Sequence, residues 1–325
     1  MKKHVITSIV LVTLVFLLAA CSSGTPPQAE PNTLTVVKVD DAALNASADF
    51  WANAPKLEVS SQAAKEGNPA GPVVTLQAVH DGSNIVFRAE WADATESVLK
   101  NSWTWDGSVF TKSGNEDRIM FIWPIGNNAE FSSQGCGAAC HNTSENSDEW
   151  WMGSGSEDVR YDAWQWKAAR SNPAGYVDDK WWGTQEDPTD VESAHHGDSK
   201  ESGGYADNRN EEKTGPIFLS SKGNDVQFIY SGEEVELDIT TLEIGSVIPG
   251  YVLSKPVGSR GDIETIGTWS DGKWVVVIRR ALNTGHDDDV VYIPSKPIPF
   301  GVSVVDNGGG ISHTVSTDVL TLAWK

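Results

Sequence analysis

Two cysteines and a histidine stand together in residues 135–141, "GCGAACH". The order Cys136-x-x-x-Cys140-His141 is one residue longer than the C-x-x-C-H of covalent haem attachment. In that motif two thioethers hold the porphyrin and the histidine binds iron. Iron also takes methionine as an axial ligand. Met152, in "WWMGSGS", is the distinctive sulfur ligand here, because Met1 is the start residue and Met120 sits in a strand-like apolar run. Three chemistries remain open: a haem site, a small disulfide between Cys136 and Cys140, and a zinc set completed by His195 or His196 of "ESAHHGDSK".

Tryptophans gather in the same stretch. Of the 14 in the chain, Trp103, Trp105, Trp123, Trp150, Trp151, Trp164, Trp166, Trp181 and Trp182 cluster in its middle. A flat apolar cofactor needs walls of this kind, and sugar platforms and ordinary cores use them too. The loops "GHDDDV" (285–290) and "DGSVFTKSGNED" carry the oxygen ligands that calcium takes, but without EF-hand spacing, which favours solvated acidic turns.

The elements that must position these residues read as mainly β. "TLTVVKV" (33–39), "VVTLQAVH" (73–80), "NIVFRAEWAD" (84–93) and "EDRIMFIWPI" (116–125) alternate or run apolar with β-branched residues. "HDGSN" and the Asp-Gly of "WSDGKW" (269–274) predict hairpin turns. Strands return in "DVQFIYSG", "EVELDI", "IPFGVSVVDN" and "VLTLAWK". Residues from about 126 to 214 are polar and rich in Gly, Asn, Asp and Trp, and "DAWQWKAARS" predicts a helix near residues 158–171. The economical architecture is an antiparallel β-sandwich over residues 33–325, with the 126–214 segment as a long irregular, partly helical insertion forming the site.

The chain start reads as targeting. Lys2 and Lys3 precede an apolar run (5–18) that ends in Leu18-Ala19-Ala20-Cys21, which resembles a bacterial lipobox. Residues 1–21 are thus expected to be a lipoprotein signal with Cys21 lipidated, and residues 22–32, "SSGTPPQAEPN", a flexible tether. The expectation is an exported protein, anchored by its lipid to a cell membrane or outer membrane and facing the periplasm or exterior. The formal net charge of −21 argues against nucleic acid as a partner and suits cation binding or docking to a basic protein.

Several pieces together resemble the ethylbenzene dehydrogenase-related haem-binding domain family. They are "ADFWANAPKLEV", "VHDGSNIVFRAEWAD", "GCGAACH", "DAWQWKAARSNPAGYVDD", "HHGDSKESGG", "WSDGKWVVVIRRAL" and "IPFGVSVVDNGGGISH". The resemblance implies a β-sandwich that binds haem and passes electrons, similar to the haem-binding gamma subunits of exported molybdenum enzymes. It implies haem b held by Met and Lys, or a c-type haem where a Cys/His motif is present. On this sequence it points to Cys136, Cys140, His141 and Met152, with Trp166, Lys167 and Arg170 of the "WQWKAAR" segment at the cofactor. Lys167, Lys255, His195 and His196 are alternative sixth ligands, and Lys167 and Arg170 alternatively hold propionates or pair with Asp158 or Asp162. A molybdenum enzyme or another cytochrome is the implied redox partner. No nucleophile-base set, phosphate loop or paired-carboxylate signature marks the chain as an enzyme. The rival reading is a carbohydrate-binding lipoprotein, because "ADFWANAP" and "VHDGSNIVFRAEWAD" also look like the opening of family-nine carbohydrate-binding modules.

Overall fold

The computed structural model describes residues 30–65, 67–126, 128–137, 153–187, 193–197, 202–309 and 312–325. Cys21, Cys140, His141 and Met152 lie outside the described residues, as do the expected signal and most of the tether.

Twelve strands form the principal sheet: β1 (Thr33–Lys38), β2 (Leu57–Val59), β3 (Val74–His80), β4 (Asn84–Ala92), β5 (Glu116–Ile125), β6 (Arg160–Lys167), β7 (Lys180–Trp182), β8 (His195–Gly197), β9 (Glu264–Ser270), β10 (Lys273–Ala281), β11 (Ile298–Gly308) and β12 (Leu320–Trp324). Their spatial order is β8-β7-β6-β5-β11-β12-β1-β3-β4-β10-β9, with β2 paired to β3. β1 is parallel to β12 and β3, and the other pairings in this sheet are antiparallel.

The sheet folds onto itself as a sandwich, so the β4–β10 layer faces the β5–β6 layer. Across the interior, Phe87 of β4 lies 5.9 Å from Phe121 and 5.7 Å from Trp164, and Trp274 of β10 lies 5.0 Å from Trp166. Burying these large rings supplies much of the apolar stabilisation, roughly 25 cal/mol for each Å² removed from water. Trp164 and Trp166 of β6 are fully buried here.

Both hairpin turns form where the sequence placed them. Asp81 caps the first, its Oδ1 accepting from the Ser83 and Asn84 amides, and Gly82 takes φ +94°. In the second, Asp271 and Gly272 both have positive φ (51° and 75°), as the tight turn between β9 and β10 requires.

The expected helix over 158–171 is instead β6, a strand inside the sheet. Its good helix formers give way to a period-two pattern. Asp162, Trp164 and Trp166 face the interior, while Tyr161, Ala163, Gln165 and Lys167 take the other face. The segment read as an insertion therefore contributes β6, β7 and β8 to the sandwich itself. Its helical content among the described residues is small: α1 (Ala129–Gln134), a short turn including Cys136 and Gly137, the 3₁₀ turn Asn172–Ala174 and 3₁₀ geometry at Ser202.

Candidate functional site

The outer face of the sheet edge collects several of the sequence's candidates. α1 begins at Asn128, whose Oδ1 accepts from the Phe131 amide at 2.9 Å and whose Nδ2 donates to the Tyr161 hydroxyl at 2.9 Å. This cap fixes the helix against β6. Phe131, Cys136, Ile122, Tyr161, Ala163 and Trp182 then form one small buried cluster. Cys136 is buried, with no disulfide partner among the described residues, and burial pushes its thiol up to about 11. The resulting thiol is a weak nucleophile.

β7 and β8 complete the edge. Their register sets Trp182 opposite His195 and Trp181 opposite His196. The rings stack across the strands, with centroids 4.1 Å apart for Trp182–His195 and 3.8 Å apart for Trp181–His196. Alternation sends the two pairs to opposite faces. Trp182 and His195 share the face that holds Tyr161 and Cys136. Trp181 and His196 share the other face with Arg160, whose guanidinium lies 4.6 Å from the Trp181 ring centroid. Glu186 approaches His196 Nε2 at 3.8 Å.

Lys167 and Arg170 occupy a separate place. Ala163 and Lys167 are four residues apart on β6, about 13 Å along the strand. The Lys167 ammonium is fully buried, bound to Asp178 and to the Tyr205 hydroxyl at 3.1 Å. Arg260 donates to the same carboxylate from Nε and Nη2 at 3.1 and 2.9 Å. Although burial pushes the Asp178 carboxyl up, Lys167, Lys180 and Arg260 hold it well below the usual carboxylate range. Burial brings Lys167 down to about 8 against the pull of Asp178. Arg170 binds Glu116, which is fully buried and also receives the Ala169 amide at 3.2 Å.

These contacts correct several expectations. Lys167 and Arg170 do form ion pairs, but with Asp178 and Glu116, not with Asp158 or Asp162; Asp162 and Lys167, five apart on β6, lie on opposite faces of the strand. With its Nζ held by Asp178, Lys167 is not placed to ligate iron, and Arg170 is likewise committed to Glu116. Trp166 is a core residue, its indole N–H donating to Asn172 Oδ1 at 3.1 Å. Lys255 is exposed and lies 4.0 Å from Glu264. The sequence reading missed the cross-strand Trp–His ladder. "KWWG" and "HHG", read as two short strands, would have exposed it.

The residues on the Cys136 face of this edge fit a haem in type: an aromatic wall in Trp182 and an imidazole in His195. Among the described residues no helix is long and apolar enough to cross a membrane.

No curated protein matches the sequence. Among solved structures, a Bacteroides uniformis ATCC 8492 protein superposes with a TM-score of 0.40 at 11% identity, covering 90% of this chain and 99% of that one. A family 9 carbohydrate-binding module from Caldicellulosiruptor kristjanssonii in complex with glucose gives a TM-score of 0.36 at 9% identity, covering 90% and 95%. The same organism's family 9 module with cellotriose gives 0.34 at 8% identity, covering 90% and 93%. The family model described as ethylbenzene dehydrogenase matches residues 48–316. That match takes in the principal sheet from β2 to β11 and the Cys136 segment between, and on it the chain belongs to the ethylbenzene dehydrogenase family.

Proposed function

We propose that this protein is an exported, lipid-anchored haem-binding electron carrier, with the haem seated at the edge built from α1, β7 and β8. Trp182 carries the reading: one indole packs in the Cys136 cluster and stacks on His195. When bound, haem supplies an iron that takes up and releases one electron. His195 is the described imidazole for that iron, because it shares the Cys136 face, whereas His196 lies on the other. His141 and Met152, the sequence's own ligand candidates, lie outside the described residues. Trp182 walls the cofactor on that face. The protein itself carries electrons and is not a catalyst. The lipid on Cys21 holds it at a membrane surface, and its acidic surface favours a basic redox partner, a molybdenum enzyme or another cytochrome.

A haemin titration of residues 22–325 with Cys21→Ser tests the site. Trp182→Ala and His195→Ala weaken binding or shift the Soret band, and His196→Ala leaves both close to the parent. If His195→Ala and Trp182→Ala bind haemin as the parent does, the haem is held elsewhere. A protein that takes up no haemin returns the argument to the carbohydrate-binding reading, which an oligosaccharide titration of the same sample then tests.

A further inference from the structure

A second constellation lies inside the sandwich, on the opposite face of β6 from Cys136. Asp162 of β6, Asp179 beside β7 and Asp289 of the loop after β10 bring carboxylate oxygens within 4.8 Å of one another. All three residues are buried, at 0%, 3% and 4% exposure. The register explains the meeting. Asp178 and Asp179 are adjacent in an extended segment, so one joins Lys167 on the outer face and the other turns inward to Asp162.

One cation answers these three acids among the described residues. Arg280, from the opposing layer, donates through Nη1 to Asp162 Oδ2 at 2.7 Å and stands 4.0 Å from Asp289 Oδ1. The Val290 amide also donates to Asp162 Oδ2, at 3.0 Å. Asp289 Oδ2 accepts from the Thr284 hydroxyl. Asp162 Oδ1 and Asp179 Oδ2 are buried with no hydrogen-bond partner among the described residues. Three carboxylates against one guanidinium cannot all stay ionised in a dry interior unless a further cation joins them or protons neutralise them.

A residue outside the acidic group points the same way. Tyr292 is 3% exposed and its hydroxyl has no hydrogen-bond partner among the described residues. Its ring lies 5.1 Å from the Arg280 guanidinium.

We propose that Asp162, Asp179 and Asp289 bind one divalent cation, with the Tyr292 hydroxyl completing the oxygen donor set. The all-oxygen set selects a hard cation over zinc, and its assembly from two strands and a loop suits the irregular coordination of calcium better than the strict octahedron of magnesium. The ion binds the loop that follows β10, which carries the exposed His286 and Asp287, to the interior of the sandwich. Its removal leaves that loop held by Arg280 and Thr284 alone at this point. The site is independent of haem.

The test uses residues 22–325 with Cys21→Ser, stripped with chelator, desalted and titrated with calcium chloride. The parent retains one calcium per chain by elemental analysis. Its Tm rises by about 2 °C for each tenfold increase in free calcium above saturation. Asp179→Asn loses both the calcium and the dependence. Asp306→Asn, in the other acidic group formed with Asp93 and Asp117, keeps both. Asp289→Asn, on the loop, stands in if Asp179→Asn does not fold. A parent that holds no calcium and shows no calcium-dependent Tm overturns the proposal, since buried water then fills the enclosure. Calcium retained in Asp179→Asn or Asp289→Asn but lost in Asp306→Asn overturns it equally.

Discussion

Replacing Asp178 with alanine strands two buried cations. Lys167 and Arg260 are 2% and 4% exposed, and both donate to that one carboxylate. Removing one member of a buried pair costs about 3–5 kcal/mol, because the remaining charge stays desolvated. Unfolding entropy of about 2.1 cal/mol/K per residue, over about 300 mature residues, converts this to a Tm loss of about 5–8 °C. Thermal unfolding followed by circular dichroism at pH 7 reads it directly. The double variant Lys167→Met, Asp178→Leu recovers only part of the loss, because apolar residues replace that pair while Arg260 still lacks its carboxylate. A single-variant loss below about 1 kcal/mol, the worth of an exposed pair, would refute the claim that this network is desolvated.

Stability at alkaline pH follows from the same network. Burial lowers Lys167 to about 8 from the ordinary lysine value of 10.5, so between those values the unfolded chain holds the proton and the folded chain does not. Stability therefore rises with pH through that window, by as much as about 3 kcal/mol, and the penalty is fully present below pH 8. Above pH 10 the buried phenols of Tyr176, Tyr205 and Tyr251, all raised by burial, reverse the trend. Urea unfolding from pH 7.5 to 10 checks this, and Lys167→Met reduces the rise to what Lys180 and Lys100, also lowered by burial, supply. Gly301→Ala would set a Cβ 2.6 Å from the Cys136 Cβ, so it costs about 1–3 kcal/mol in the same assay. Gly272→Ala, at φ +75° in the β9–β10 turn, costs about 1 kcal/mol by the same measurement.

Local signals made parts of this fold legible. Asp81-Gly82 and Asp271-Gly272 declare their hairpins because few other residues accept those backbone angles. The strand runs at 74–80, 84–92 and 298–308 alternate or stay apolar as buried strands do. β6 was misread because Ala, Gln and Lys favour helices, yet the sandwich gains more by burying Trp164 and Trp166 on one face. The partners of the buried charges were not legible at all. Glu116 and Arg170 are 54 residues apart, Asp178 and Arg260 are 82 apart, and Asp162 and Arg280 are 118 apart. Only the folded sandwich brings them together. The Cys136 segment was legible as chemistry, whereas the Trp182–His195 stack beside it needed the β7–β8 register.

The visible spectrum of residues 22–325 with Cys21→Ser, exported from cells that mature c-type cytochromes, tests the central claim most directly. Haem binding predicts a Soret band and, after dithionite, a sharp α-band. Colour that stays with the denatured chain on acid–solvent extraction assigns the haem to Cys136 and Cys140, and colour that leaves assigns haem b. A protein that is colourless as isolated, and still colourless after added haemin, contradicts the electron-carrier reading.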